Sequence, residues 1–137
     1  MSQAVMIRVR RDPAYVLVTV AGEIDIATVP ALHERLRLLA APGRAVVVDL
    51  DQVTFIDAAG LGALAGAARQ AAAREAGLSV VCAGRQTRRL FGLTGLDRTI
   101  PLARTLAGAA GALTAGPGTP ASGGITPAGI PGPQLAG

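Results

Sequence analysis

V-T-F-I-D-A-A-G-L-G-A-L, residues Val53 to Leu64, is the stretch that decides the fold, because it joins a strand-like apolar segment to a glycine-rich helix start. Asp57 stands at the junction. An aspartate there is a favoured N-cap, since its carboxylate accepts hydrogen bonds from the first helical turn and its charge lies against the positive end of the helix dipole. We therefore predict a helix over residues 58–76. Such a helix end can also hold a phosphate.

The segments on either side of this stretch alternate between strand and helix patterns. Ala45 to Leu50 and Leu78 to Ala83 are short apolar runs, which is typical of strands covered on both faces and hence of a parallel sheet. Apolar residues at helical spacing predict an amphipathic helix with Thr28 as its N-cap. The same spacing predicts two further helices, from Arg85 to Leu93 and from Leu102 to Leu113, and the first is expected to pack in the core through Leu90, Phe91 and Leu93.

The start of the chain predicts an antiparallel hairpin, and its end differs from everything before it. Val5, Ile7 and Val9 alternate with Met6, Arg8 and Arg10, as in a strand with one buried face. Asp12 and Pro13 mark a turn, and Tyr15 to Val20 is a strongly β-forming run. A hairpin followed by alternating helices and strands predicts one α/β domain over residues 1–113, a mixed β-sheet flanked by helices. Twelve of the 24 residues from 114 to 137 are Gly or Pro and none is charged, so we predict a disordered tail there.

Composition excludes several classes of partner and location. The 13 basic residues, all arginine, exceed the 9 acidic ones only modestly and are scattered, so we expect no direct nucleic-acid partner. No apolar run reaches the roughly 18 residues of a membrane span. The first ten residues also lack the apolar core of a signal peptide, so we expect a cytoplasmic protein without membrane contact. Cys82, the only cysteine, lies in an apolar run and is interpreted as a buried structural thiol.

The residues around the central glycines do not predict an enzyme. In a dinucleotide-binding loop the glycines lie directly at the turn from strand to helix, whereas Asp51 to Asp57 separates the predicted strand from the glycines here. A phosphate-binding P-loop would need a lysine. His33 is the only histidine and has no cysteine near it in the sequence with which to share a metal, and Asp25, Asp49 and Asp57 alone do not predict a metal site. We predict no catalytic residue, no metal and no cofactor.

Four segments, in this order, resemble the bacterial STAS domains of the anti-sigma-factor antagonist family: G-E-I-D-I-A-T-V-P, V-V-V-D-L, F-I-D-A-A-G-L-G-A-L and R-R-L-F-G-L-T-G-L. The resemblance covers roughly residues 4 to 113. It implies a mixed sheet flanked by helices. It also implies a protein that binds an anti-sigma factor, often a protein-serine kinase, and so frees a sigma factor for transcription.

The resemblance also implies where the partner binds and how binding is controlled. The implied partner-binding residues lie in the Asp25 loop and at the start of the central helix: Asp25, Asp57, Ala58, Ala59, Gly60 and Leu61. In the family, the two positions after the matching aspartate are Ser followed by Ser or Thr, and the kinase phosphorylates there. Ala58 and Ala59 have no hydroxyl group. We therefore predict no phosphorylation at the family site and an antagonist locked in its binding-competent form.

Other interpretations remain open from the sequence. The missing phosphoacceptor also fits a diverged module that serves as a scaffold or binds a different regulator, and STAS-like domains can bind nucleotides or other small ligands. Control through another hydroxyl would need Thr28 or Thr54. Thr28 is interpreted as a helix cap and Thr54 as part of the connection between strand and helix. The sequence leaves the oligomeric state open.

Overall fold

The computed structural model describes residues 5–114 of the 137-residue chain. In chain order the strands are β1 (Val5–Arg11), β2 (Val16–Ile24), β3 (Ala45–Ile56), β4 (Gly77–Val81) and β5 (Leu102–Ala103). The helices are α1 (Val29–Leu39), α2 (Ala58–Ala73), α3 (Arg85–Thr94) and α4 (Leu106–Thr114), with a short 3-10 helix at Leu96–Arg98 after α3. The tail predicted over 114–137 lies outside the described residues from 115 onward, and Thr114 is the last residue of α4.

The five strands form one mixed sheet in the order β1-β2-β3-β4-β5. β1 pairs antiparallel with β2, as Ile7 opposite Val20 illustrates, which confirms the predicted hairpin. The remaining pairs are parallel, and Val48 of β3 lies opposite Val18 on one side and Val80 on the other. This arrangement confirms the predicted mixed sheet flanked by helices.

The sheet is covered on both faces, which explains the continuous apolar runs of its central strands. Successive side chains of a strand point to opposite faces. Val46 and Val48 of β3 accordingly belong to the main core with α1, α2 and α3, while Val47 belongs to a smaller cluster under α4. The predicted helix face of α1 is confirmed, because its three core leucines are buried: Leu32, Leu36 and Leu39.

β3 is longer than predicted and reaches Ile56 instead of Leu50. The prediction that Thr54 belongs to a connecting segment is therefore wrong. Pairing between backbones extends the strand, because residues 52–56 lie in register with the end of β2 although most of their side chains are exposed. Two register shifts between β2 and β3 accommodate this polar part of the strand.

The C-terminal elements also differ from the prediction at two leucines. Leu102 lies in β5, where it pairs with Val80, and the last helix begins only at Leu106. Leu93 was expected to pack in the core, yet it is 71% exposed on α3. In both cases helical spacing alone misassigned the residue, because pairing with β4 and the docking angle of α3 are set by tertiary contacts.

α2 ends earlier than predicted, at Ala73, in a motif that usually contains glycine. The N–H of Ala76 donates to the carbonyl of Ala71 at 2.7 Å and the N–H of Glu75 to the carbonyl of Ala72 at 3.0 Å, the two hydrogen bonds of a Schellman C-cap. Glu75 stands at the left-handed position with φ of 60°. A side chain is disfavoured there, because Cβ approaches the following carbonyl oxygen.

We expect Glu75→Gly to raise the free energy of unfolding by about 0.5–1 kcal/mol, because relief of the left-handed strain outweighs the entropy that glycine gains in the unfolded chain. Urea denaturation measures the change. Ala73→Gly, in the last exposed turn of the same helix, is the control and should lower stability by up to about 1 kcal/mol. A loss of stability in both variants would contradict the strain at Glu75.

Candidate functional site

The ends of β2 and β3 bring the two predicted aspartates to the same edge of the sheet. Ile24 lies in register with Ile56, and the N–H of Asp57 donates to the carbonyl of Ile24 at 3.2 Å. The Asp25 loop and the start of α2 are therefore held side by side.

Asp57 caps α2, as predicted. Its backbone is extended, and its Oδ1 accepts a hydrogen bond from the N–H of Gly60 at 3.0 Å. A phosphate at this helix end would meet a carboxylate that already occupies part of the first turn, and like charges repel. The geometry therefore gives no support to phosphate binding at the start of α2.

Gly60 serves packing and not an open loop. A Cβ at Gly60 would lie 2.7 Å from Cγ2 of Ile24 and 2.8 Å from both the carbonyl oxygen of Ile24 and Cγ1 of Ile56. Only glycine lets the first turn of α2 approach β2 this closely. The predicted gap between strand and glycines was wrong, since β3 runs to Ile56 and only Asp57, Ala58 and Ala59 precede Gly60. A dinucleotide loop is still excluded, because the space beside Gly60 is filled by Ile24 and Ile56.

The Asp25 loop is held by its own hydrogen bonds. Oδ1 of Asp25 accepts from the N–H groups of Ala27 at 3.0 Å and Thr28 at 3.1 Å. The Thr28 hydroxyl donates to the carbonyl of Glu23 at 2.7 Å and accepts from the N–H of Asp25 at 2.9 Å. Thr28 occupies the N-cap position of α1 as predicted, but its side chain makes no capping bond, so the predicted mechanism was wrong. The side chain of Asp25 binds the incoming backbone instead.

The six predicted site residues differ in exposure. Ala58 is exposed, while Asp25, Asp57 and Ala59 are half-buried. Gly60 is buried, and Leu61 is only 5% exposed within the main core. The structure therefore places Gly60 and Leu61 beneath the surface, where they hold the start of α2 against the sheet.

Two large apolar side chains beside these residues were not predicted as part of the site. Ile26 is 79% exposed in the Asp25 loop, and Phe55 is 50% exposed near the end of β3. The sequence holds a weak signal for each, since both stand next to a buried or capping residue in a strand-like alternation. We call the group of Asp25, Ile26, Phe55, Asp57 and Ala58 the β2/β3 end surface.

The β2/β3 end surface is acidic as well as apolar. Within residues 5–114 the two ion pairs are Arg10 with Asp12 and Arg37 with Glu34, so neither aspartate of the surface is neutralised by an arginine.

Of the two hydroxyls considered for control, that of Thr28 is buried, while Thr54 is exposed and donates to the carbonyl of Gly22 at 3.2 Å.

The remaining candidate groups do not form a reactive site in the described part of the chain. Cys82 is buried as predicted, its thiol donates to the carbonyl of Gly84 at 3.8 Å, and burial raises its pKa, so it stays protonated at neutral pH. His33 is half-buried on α1. Residues 5–114 contain no group of three or more His, Cys, Asp or Glu able to hold a metal. None of the helices described is long and apolar enough to cross a bilayer.

Two substitutions separate the capping role of Asp57 from its charge. Asp57→Ala should lower the free energy of unfolding by about 1 kcal/mol, because the N–H of Gly60 loses its acceptor. Asp57→Asn keeps an oxygen in the same place and should change stability by less than about half of that. Thermal or urea unfolding of both variants gives the comparison, and equal losses would contradict the capping geometry.

Comparison with known proteins identifies the family of the chain. The STAS domain family matches residues 6–109. The anti-sigma-F factor antagonist RsfB of Mycobacterium tuberculosis is 37% identical over 91 residues, which cover 66% of this chain and 74% of the relative. The anti-sigma-B factor antagonist of Listeria monocytogenes is 33% identical over 93 residues, which cover 67% of this chain and 82% of the relative.

A solved structure gives the same result in three dimensions. The crystal structure of an anti-sigma factor antagonist from Mycobacterium paratuberculosis superimposes with a TM-score of 0.71 at 38% sequence identity, over 82% of this chain and 93% of that chain. The chain therefore belongs to the STAS domain family, with anti-sigma-factor antagonists among its homologues.

Proposed function

We propose that the protein is an anti-sigma-factor antagonist that binds an anti-sigma factor through the β2/β3 end surface and so releases a sigma factor. The names of its relatives support this role. The observation that carries it is the exposure of Ile26 and Phe55 beside two aspartates that form no ion pair within residues 5–114. In this proposed role the protein is a binding module without catalytic residues. It acts in the cytoplasm and contacts the transcription machinery only through its partner.

The chemistry of the surface defines the partner that it fits. Ile26 and Phe55 would be desolvated at the centre of the contact, where a few large apolar side chains contribute most of the binding energy. Asp25 and Asp57 would set orientation and association rate against basic groups of the partner. We therefore expect an anti-sigma factor with an apolar pocket flanked by arginine or lysine.

Ala58 and Ala59 are the basis for the absence of a switch at this site. A phosphate on a side chain there would add a charge of about −1.5 to −2 within the β2/β3 end surface, and the cost of desolvating it in an apolar contact would oppose docking. Neither alanine can accept it. We propose that the β2/β3 end surface stays competent to bind even when the partner is an active serine kinase.

The Ala58→Ser variant tests both the partner class and the missing switch. Incubated with the cognate anti-sigma kinase and ATP, the variant should gain one phosphate and lose affinity for the kinase, because the new hydroxyl lies on the exposed first turn of α2. Intact-protein mass spectrometry followed by peptide mapping measures the change.

The wild-type chain is the control and should keep its original mass under the same conditions. Phosphate on the folded wild-type domain, at Thr54 or elsewhere, would overturn the proposed locked state. A thermal-shift series with nucleotides addresses the small-ligand alternative, since a bound ligand raises the melting temperature with concentration. No described feature of the α2 start favours that alternative. The N–H of Gly60 is already bound to the carboxylate of Asp57, and Ile24 fills the space beside Gly60.

A further inference from the structure

The outward face of α3 carries two arginines and an exposed leucine in one line. Arg85, Arg89 and Leu93 are spaced by four residues, so they form a stripe along the helix. Gln86 and Leu90 complete a shallow groove beside them. We call these five residues the α3 stripe. Leu93 is 71% exposed, so the stripe offers a large apolar side chain next to two positive charges.

The two guanidinium groups of the stripe have no acceptor in the described part of the chain. Neither the side chain of Arg85 nor that of Arg89 makes a hydrogen bond or ion pair within residues 5–114, whereas the side chain of their neighbour Arg88 donates to the carbonyl of Cys82 at 3.0 Å. The core of the fold uses the other side of α3, where Phe91 is fully buried. Leu90 of the stripe also packs against this core, whereas the exposed Arg85, Arg89 and Leu93 are not needed to hold α3 in place.

The β2/β3 end surface matches the α3 stripe in charge and polarity. One has two carboxylates, Asp25 and Asp57, beside two large exposed apolar side chains, and the other has two guanidinium groups beside two leucines. The two surfaces also reach the same edge of the sheet. β2, β3 and β4 are parallel, so their carboxyl ends share that edge, and α3 begins at Arg85 shortly after β4 ends.

We propose that the α3 stripe docks a second copy of this chain through that copy's β2/β3 end surface. A two-fold axis at the shared edge reverses the order of the strand ends, so each copy's α3 stripe faces the other's acidic surface and the contact forms twice. Each contact pairs carboxylates with guanidinium groups and covers Ile26 and Phe55 with leucine side chains.

Self-docking has a regulatory consequence, which rests on the proposed function. The dimer covers the same β2/β3 end surface that the anti-sigma factor would use. The two partners then compete, and free antagonist increases less than in proportion to total protein. The concentration of the antagonist itself would then limit its binding to the anti-sigma factor. Phosphorylation cannot do so at Ala58 and Ala59.

Sedimentation velocity on the full chain, over a series of protein concentrations, tests the proposal. We expect a monomer–dimer equilibrium that weakens as salt screens the charges. Arg85→Glu/Arg89→Glu should weaken dimerisation by about a hundredfold or more, because it places acid against acid. The control Arg35→Glu/Arg69→Glu makes the same change in net charge on exposed positions of α1 and α2 and should leave the dimer intact.

Mixing two variants tests which surfaces meet. Arg85→Glu/Arg89→Glu keeps the acidic surface, and Phe55→Ser/Asp57→Asn keeps the α3 stripe, so each should be monomeric alone while an equimolar mixture forms a heterodimer through one contact. A wild-type chain that stays monomeric at all concentrations, a mixture that fails to associate, or equal loss in the control would each overturn the proposal. Dimers in a chain that binds no anti-sigma factor would support self-docking and refute the proposed function instead.

Discussion

Gly60→Ala is expected to lower the free energy of unfolding by about 2–3 kcal/mol, as overpacking of a rigid contact does. The new methyl group would lie under 3 Å from both the side chain and the carbonyl oxygen of Ile24. The carbonyl belongs to a paired strand and cannot move aside without disturbing the β2–β3 register. The loss is informative because alanine ordinarily stabilises a helix relative to glycine.

Gly62→Ala is the matched control, two residues further along the same helix. Apart from its chain neighbours and the backbone of its own helix, no atom lies within 4 Å of a Cβ placed there, so the substitution should raise stability by about 0.5–1 kcal/mol through helix propensity alone. Urea denaturation of both variants gives the two midpoints, and the slopes show whether the unfolding remains two-state. Shifts of the same sign in the two variants would contradict the close approach of α2 to Ile24.

Ala58→Glu is expected to weaken binding to the anti-sigma factor by about a hundredfold or more, because the longer side chain obstructs the contact and its carboxylate would be desolvated against the apolar pocket of the partner. The fold should tolerate the change. An acidic residue in the first turn of a helix interacts favourably with the helix dipole, so stability should change by less than about 1 kcal/mol. Isothermal titration calorimetry gives the affinity, and thermal unfolding gives the stability.

Ala107→Glu supplies the control for this substitution. Ala107 is also exposed in the first turn of a helix, but α4 lies on the opposite face of the sheet from α2. The stability of the Ala107→Glu variant should change as little as that of Ala58→Glu, and its affinity for the anti-sigma factor should equal that of the wild type. Equal binding by the two variants would remove Ala58 from the interface.

Local sequence signals predicted the fold where neighbouring residues decide the structure. Asp57 caps α2 because an N-cap needs only its own first turn, and the leucines of α1 face the core because their spacing matches the helix period. The polar half of β3 was missed because pairing with β2, and not side-chain burial, extends it. Leu102 and Leu93 were misplaced since β5 and the orientation of α3 depend on contacts far away in the chain.

The candidate site was predictable in position but not in composition. The resemblance located Asp25 and Asp57, and the structure brings both to one edge. The exposure of Ile26 and Phe55 depends on how the two strand ends pair, which no local pattern encodes. The support roles of Gly60 and Leu61 likewise became visible only with the packing of α2 on β2. Thr28 makes no capping bond, and the Asp25 side chain binds the backbone of the loop before α1.

Release of sigma factor from its complex with the cognate anti-sigma factor tests the central claim most directly. A fluorescent sigma factor is bound to the anti-sigma factor and titrated with this protein, and fluorescence anisotropy follows the free fraction. The proposed function predicts release by the wild type and by Ala107→Glu, with or without ATP, and no release by Ala58→Glu at the same concentrations. A complex that stays intact with the wild type, or releases sigma equally with Ala58→Glu, would contradict binding through the β2/β3 end surface.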